Sequence, residues 1–292
     1  MTIRAAIIDS VAPVLVLLSI GSSAVAQQPS SAVAQQPQKK SHLQSIAQCN
    51  GTDSIPAQVR IAGCTALISS GDAKPEALAL AYNNRGNAYA AAAEYDRAIS
   101  DFDRAIELAK GYVKPVNNRG VAYLRKGAYE DAVKSFDEAI RLNPAYGNAF
   151  ANRAEAHLKL NQYDRAARDF DEAIRLDPNL TWARSGRCWT RAIIGDLQAG
   201  LDDCDKVIQS VSNDAATYDS RALIHLKMGQ FAAAIDDYDS ALRLAPNLAS
   251  ALYGRGLARL RQGDNAGGDR DVSAAKLIDL KIADAFARYG VR

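Results

Sequence analysis

Aromatic residues make up only 7% of this 292-residue chain, which has two tryptophans and three histidines. Sheet proteins are usually rich in aromatic and β-branched side chains, so this scarcity, together with abundant alanine, favours closely packed helices. The formal net charge of +2 gives no indication of a nucleic-acid-binding surface. The sequence also lacks a phosphate-binding loop, a G-x-S-x-G motif and zinc-ligand spacing, so we expect no cofactor, no metal and no enzymatic activity.

The apolar run near the N-terminus, VAPVLVLLSI, is too short to span a bilayer comfortably. Small residues follow it and end in an A-x-A pattern at Ala26, which is typical of a secretory signal peptide. We therefore predict a signal peptide over 1–26 and a flexible leader over 27–45. The tandem repeat of SSAVAQQP also allows cleavage after Ala34, and Asp9 leaves an uncleaved anchor open. The mature chain is expected to be periplasmic or secreted, without stable membrane insertion.

From Ala79 to Ile282 the chain can be written as six lines of 34 residues without an insertion or deletion. The lines are 79–112, 113–146, 147–180, 181–214, 215–248 and 249–282. One column is always small: Gly86, Gly120, Ala154, Cys188, Ala222 and Gly256. A later column is largely aromatic (Phe102, Phe136, Phe170, Tyr238), and Pro144, Pro178 and Pro246 close three lines. This period and this order of residues resemble the tetratricopeptide repeat.

The resemblance implies an all-α fold, a right-handed superhelical solenoid of helix-turn-helix hairpins with terminal capping helices. A column of Gly127, Gly195, Gly229, Gly263 and Asn161 marks the turn inside each hairpin, because Gly and Asn readily take the left-handed conformation that ends a helix. Ala93 stands in this column in the first line, where we expect a less sharply formed turn. Residues 46–78 are predicted to be a degenerate N-terminal cap, and 283–292 the end of a C-terminal capping helix.

The four cysteines form two similarly spaced pairs, Cys49 with Cys64 and Cys188 with Cys204. In the repeat, the columns of Cys188 and Cys204 face each other inside one hairpin, so a disulfide between the two helices is geometrically reasonable. An exported chain with two such pairs favours disulfides over metal binding. The alternative is four buried free thiols that act as small hydrophobic residues.

An arginine recurs in all six lines, and aspartates recur near it on the second helix. The arginines are Arg85, Arg119, Arg153, Arg187, Arg221 and Arg255, and the aspartates include Asp101, Asp169, Asp203, Asp237 and Asp271. We interpret them as structural ion pairs between helices, with a ligand-facing cationic row as the alternative.

Asparagine is a poor helix former, so Asn84, Asn118 and Asn152 in one column need a reason. The resemblance implies that the first helix of each hairpin lines a concave groove, where asparagine side chains hold the backbone of an extended peptide, since an amide both donates and accepts. Asparagines that bond to neighbouring helices within the stack are the alternative. Other expected groove residues are Asn83, Asn117, Asn87, Trp182, Trp189, Arg125, Lys159, Lys227 and Arg261. The alternatives are that the tryptophans are buried between repeats, and that the basic stripe formed by Arg125, Lys159, Lys227 and Arg261 is merely solvated surface.

The leading hypothesis is a non-enzymatic scaffold outside the cytoplasm that binds a peptide or protein partner, one that carries acidic groups if the basic stripe is used. One alternative is a structural assembly factor that self-associates through its ends. Another is a small enzyme acting on cell-wall or glycan material, although Glu155 and Asp219 are the only acids on groove columns and the carboxylate pair that glycan chemistry needs is not evident.

Overall fold

The computed structural model describes residues 41–51, 54–71 and 73–291. The predicted signal peptide and residues 27–40 of the predicted leader lie outside these ranges. Residues 41–45 were also assigned to the leader, but residues 41–49 are helical. The predicted leader therefore overlaps this helix, whose last residue, Cys49, is joined to a later helix by the pairing described below.

In the described part of the chain all regular secondary structure is helical. The helices are α1 (residues 41–49), α2 (Ala57–Ser69), α3 (Pro75–Ala91), α4 (Tyr95–Leu108), α5 (Val113–Lys126), α6 (Tyr129–Leu142), α7 (Gly147–Lys159), α8 (Tyr163–Leu176), α9 (Thr181–Ile194), α10 (Leu197–Ser210), α11 (Ala215–Lys227), α12 (Phe231–Leu244), α13 (Ala249–Gln262), α14 (Asn265–Ile278) and α15 (Ile282–Arg288). Among the described residues, no helix is both long enough and apolar enough to cross a membrane.

Consecutive helices pack as antiparallel hairpins, and the hairpins stack in chain order. Helix α8 illustrates why these segments are helical: Ala166, Phe170, Ala173 and Ile174 are buried and recur on one face at the helical period. The prediction of an all-α repeat solenoid is confirmed. The first helices of neighbouring hairpins also contact one another, whereas within the described residues the second helices do not. The stack therefore curves toward the first helices, which form its concave face.

The turn between the two helices of a hairpin uses a left-handed residue, as the sequence predicts. Gly127, for example, has φ of 87°, and Asn161 in the same column has φ of 57°. The expectation of a less sharply formed first turn is wrong, because Ala93 adopts the same conformation with φ of 60°. The backbone N–H of Glu94 closes this turn by donating to the carbonyl oxygen of Tyr89 at 2.9 Å, which offsets part of the cost of a left-handed alanine.

Both predicted cysteine pairings are confirmed, since the sulfur atoms of Cys49 and Cys64 and those of Cys188 and Cys204 lie at disulfide distance. The Cα atoms are 4.5 Å apart in the first pair and 5.5 Å apart in the second. The first pair joins α1 to α2, and the second joins the helices of the fourth hairpin. All four cysteines of the chain are thus paired, which suggests an oxidising environment.

Candidate functional site

The recurring arginine is a structural element of the stack. In five hairpins it donates from Nε and Nη2 to both oxygens of an aspartate sixteen residues later on the second helix, and these contacts are 2.6–2.8 Å long. The aspartates are all buried: Asp101, Asp169, Asp203, Asp237 and Asp271. The prediction of ion pairs between helices is confirmed.

The same arginines also join consecutive hairpins. Arg221, for example, donates from Nη1 at 2.6 Å to Asp205, sixteen residues earlier on the second helix of the preceding hairpin. The second helices also carry aspartates two residues apart, such as Asp203 and Asp205. This geometry explains them, because Asp203 binds the arginine of its own hairpin and Asp205 binds that of the next. The two carboxylates diverge along the helix and serve different partners, so they do not form a shared cation site.

Asparagine side chains form a second connection, on the concave face. The asparagine row consists of Asn50, Asn83, Asn84, Asn87, Asn117, Asn118 and Asn152. Its amides bond in sequence from Asn152 Nδ2 to Asn117 Oδ1 (3.0 Å), Asn117 to Asn118 (3.4 Å), Asn118 to Asn83 (3.1 Å) and Asn87 (3.0 Å), Asn83 to Asn84 (3.3 Å), and Asn84 to Asn50 (3.0 Å). The row crosses from α7 through α5 and α3 to the end of α1. These bonds agree with the alternative of asparagines bonding within the stack.

Asn50 was not predicted as a member of this row, although the sequence carries the signal. It stands 34 residues before Asn84, so extending the repeat one line upstream would have placed it in the same column. Degenerate packing residues in the N-terminal cap hid this register.

The asparagine column ends at α7, and the packing of the second helices gives the reason. In the first two repeats the rings of Phe102 and Phe136 lie against Gly86 and Gly120 of their own hairpins, where an added Cβ would approach Phe102 to 2.6 Å. In the third repeat Ala154 stands at that place, and the ring of Phe170 lies against Gly186 of the next hairpin. Gly186 occupies the asparagine column, so the ring takes the space that an amide would need.

The fifth repeat repeats this arrangement. Ala222 stands in the small column, and the ring of Tyr238 lies against Gly254 in the asparagine column of the sixth repeat. Where the small column of one repeat holds a glycine, as at Gly86 and Gly120, the asparagine column of the next repeat holds an asparagine. Where the small column holds an alanine, as at Ala154 and Ala222, the asparagine column of the next repeat holds a glycine.

The two tryptophans, predicted together as groove residues, occupy different environments. Trp182 is 43% exposed at the start of α9, in the column of the exposed residues Lys114 and Asn148. Trp189 is partly buried, and its ring meets that of Tyr289 edge-on at 5.2 Å between centroids. The structure therefore leaves Trp182 accessible and covers Trp189 with the C-terminal segment.

The basic stripe is divided in the same way. Arg125, Lys159 and Arg261 are exposed, whereas Lys227 donates from Nζ to the carbonyl oxygens of Ala192 at 2.7 Å and Ile193 at 3.2 Å. Burial lowers the pKa of Lys227. Lys227 thus caps the C-terminus of α9, a role that its sequence column did not indicate.

The two acids of the groove columns lie on different helices, Glu155 on α7 and Asp219 on α11, with α9 between them. Asp219 is buried and accepts a 2.7 Å hydrogen bond from the hydroxyl of Ser250. Burial raises the pKa of Asp219 to about 7. The hydrogen bond from Ser250 on α13 to Asp219 on α11 thus joins these two helices. Asp219 and Glu155 do not form a carboxylate pair.

Models of the tetratricopeptide repeat match residues 79–112, 117–181 and 151–215, and a TPR repeat model matches 222–263. These segments together cover more than half of the chain. No curated protein matches the sequence.

Similar solved structures include YrrB, a TPR protein with an unusual peptide-binding site, at 24% identity, 66% coverage of this chain, 97% of that chain and a TM-score of 0.54. A tetratricopeptide repeat protein from Parabacteroides merdae is 19% identical over 86% of this chain and 99% of its own, with a TM-score of 0.63. A chain of the APC/C hetero-tetramer Cut9–Hcn1 is 14% identical over 89% of this chain and 56% of its own length, with a TM-score of 0.65. At these identities the likeness concerns the fold.

Proposed function

The chain belongs to the tetratricopeptide repeat family, and from this premise we propose that it is a non-enzymatic scaffold that binds an extended peptide segment of a protein partner. The segment would lie on the concave face across α3, α5 and α7. The observation that carries the proposal is the asparagine row, which presents a continuous line of amides on these three helices.

Bonding within the row leaves capacity for a ligand at its half-buried members, whereas Asn83 and Asn117 are each only 5% exposed. An asparagine side chain has two N–H donors and an oxygen with two lone pairs, and the row uses one donor and one acceptor at the half-buried Asn84, for example. The remaining donor and lone pair can bind the C=O and N–H groups of a peptide backbone. Because the row already fixes the rotamers, binding would cost less conformational entropy than with free side chains.

Side chains around the row indicate what a partner would carry. Trp182 offers exposed apolar surface at the edge of α9, and an exposed Trp is a typical binding hot spot. Lys114 and Arg125 are exposed at opposite ends of α5, and Lys159 is exposed at the end of α7. These cations would favour a segment with acidic side chains. Arg261 lies on α13, outside this part of the face.

We place the scaffold outside the cytoplasm, in the periplasm or secreted. Two cysteine pairs at disulfide distance support an oxidising compartment, and the signal-peptide pattern of residues 1–26 remains the prediction that would explain how the chain reaches it.

The proposal is tested by selecting peptides from a random displayed dodecamer library on the immobilised mature chain. Selected peptides are then measured against Asn118→Ala and Asn152→Ala, with Asn213→Ala, an exposed asparagine outside the row, as the matched control. We expect each row variant to weaken binding by about 1 kcal/mol, roughly fivefold, because a peptide group loses its partner. Failure to select any peptide, or unchanged affinity in the row variants, would contradict the proposal.

A further inference from the structure

The C-terminal segment, residues 282–291, lies across the concave face of the last repeats. Phe286 is 2% exposed, and its ring centroid is 4.8 Å from that of Tyr253 on α13. Tyr289, three residues later, reaches Trp189 on α9 at 5.2 Å. Helices α9 and α13 belong to the fourth and sixth repeats, so the segment spans three hairpins.

This placement differs from that of a cap that covers only the open end of a stack. An end cap contacts the last hairpin, and α15 does contact α13 and α14, but Trp189 lies two hairpins earlier. The junction between α14 and α15 meanwhile leaves Leu277 and Leu280 at 87% and 89% exposed. The segment thus leaves apolar residues in water at the end of the stack while it covers aromatic residues on the concave face.

Ile282, Phe286 and Tyr289 anchor the segment: the first two are 5% and 2% exposed, and Tyr289 contacts Trp189. Helix α15 has only seven residues, far below the length at which an isolated helix is stable in water, so the surface beneath it holds it helical. A cavity of about 320 Å³ remains beside Val291, lined by Leu226, Lys227, Leu257 and Arg261. The segment therefore fills the surface incompletely.

We propose that residues 282–291 are an intramolecular ligand of the concave face formed by α9, α11 and α13. This surface binds a partner segment that carries two aromatic side chains three residues apart, as Phe286 and Tyr289 are, and the partner displaces the chain's own segment. Tethering gives the internal ligand an effective concentration in the millimolar range, so only a better-fitting partner gains access. The surface is separate from the asparagine row, which lies on α3, α5 and α7.

The first test uses the full chain and a fluorescently labelled peptide of residues 280–291 as the probe. The wild-type chain should bind it weakly, because the surface is occupied internally, and Phe286→Ala/Tyr289→Ala should bind it at least about tenfold more tightly. A probe with both aromatics replaced by alanine should bind neither protein. The matched control is Leu277→Ala/Leu280→Ala, at exposed apolar positions of the same region, which should bind the probe as the wild-type chain does. Asn118→Ala should also bind it as wild type, because the asparagine row is a separate surface.

The second test reads the internal contact directly. In Trp182→Phe the only tryptophan is Trp189, and its quenching by acrylamide should rise severalfold when Tyr289→Ala is added. Any loss of helicity should not exceed the seven residues of α15. The proposal is overturned if quenching is the same in both proteins, or if wild type and the double alanine variant bind the probe equally. Loss of helical content beyond the seven residues of α15 in the double variant would also overturn it, since the segment would then be an integral part of the fold.

Discussion

Replacing Arg153 by methionine should destabilise the protein far more than the same change at Arg119. Arg153 donates to both oxygens of Asp169, at 2.8 and 2.7 Å, and Asp169 is 7% exposed. In the second repeat Ser135 stands where the aspartate is expected, and Arg119 donates to its hydroxyl at 3.2 Å. Removing Arg153 therefore leaves a buried carboxylate unpaired. Removing Arg119 leaves a hydroxyl that still donates to the carbonyl of Asp131.

The magnitudes follow from burial. Removing one partner of a buried ion pair costs about 3–5 kcal/mol, and we expect about 3 kcal/mol at Arg153 because its own side chain is 21% exposed. The carboxylate partners of Arg119 are 47% and 34% exposed, and such pairs contribute about 1 kcal/mol or less. Methionine retains an apolar stem, so lost packing is small at both sites. The two variants should differ by about 2 kcal/mol in the free energy of unfolding.

Urea unfolding followed by circular dichroism measures this difference, provided the denaturant slope is unchanged. A second substitution, Asp169→Ser, should restore most of the loss in Arg153→Met, because it removes the unpaired charge and reproduces the serine of the second repeat. Equal losses at Arg153 and Arg119, or no recovery with Asp169→Ser, would refute the account of the buried pair.

A nearby histidine adds a pH dependence to the same variant. His157 Nε2 lies 3.7 Å from Asp169, and its pKa is lowered chiefly by burial and further by the charge of Arg153. Without that arginine the Asp169 charge should raise the His157 pKa. The protonated imidazole would then compensate below that pKa and not above it, so the loss in Arg153→Met should be smaller at pH 5 than at pH 8.

Two further predictions concern other buried positions. The pKa of Asp219 is about 7 in the fold and about 3.9 in the unfolded chain, so the unfolded chain binds fewer protons between these two pH values. The free energy of unfolding should therefore fall by up to roughly 4 kcal/mol as pH rises from 4 to 7. Urea titrations should show this fall in the wild-type chain and not in Asp219→Asn. Gly120→Ala places a Cβ 2.5 Å from Phe136, so we expect a loss of about 1–3 kcal/mol in urea unfolding. The displaced ring should press on Asn152 and weaken binding of the selected peptides, and unchanged stability would contradict the packing described here.

The repeat and its internal ion pairs could be predicted from the sequence because both are periodic. A left-handed glycine such as Gly127 fixes where a helix ends, and 34-residue spacing then places the next helix without reference to distant contacts. The pairing of Arg221 with Asp237 follows from the same spacing, since sixteen residues always separate facing positions of one hairpin.

The asparagine row could be located but not interpreted from the sequence. Poor helix propensity shows that Asn118 has a reason to be there, yet an amide can bond to a neighbour or to a ligand with the same atoms. Only the spacing of α3 and α5 decides that its Nδ2 reaches Asn83. The path of the C-terminal segment was equally inaccessible, because its apolar pattern predicts a covered face but not which surface covers it. Tyr289, which makes the distant contact, lies beyond the end of α15.

The division of the concave face into two halves coincides with a change from glycine to alanine in the small column. Gly120 accepts the ring of Phe136 within its own hairpin, which leaves room on α7 for Asn152 and hence for an amide line. In the third repeat the small column holds Ala154, the ring of Phe170 lies against Gly186 of the next hairpin, and the amide line ends there. Beyond that point the concave face carries aromatic side chains, which the chain's own Phe286 and Tyr289 cover. A row of amides and a group of aromatic side chains therefore occupy separate parts of one stack, so the two proposed sites can be tested separately.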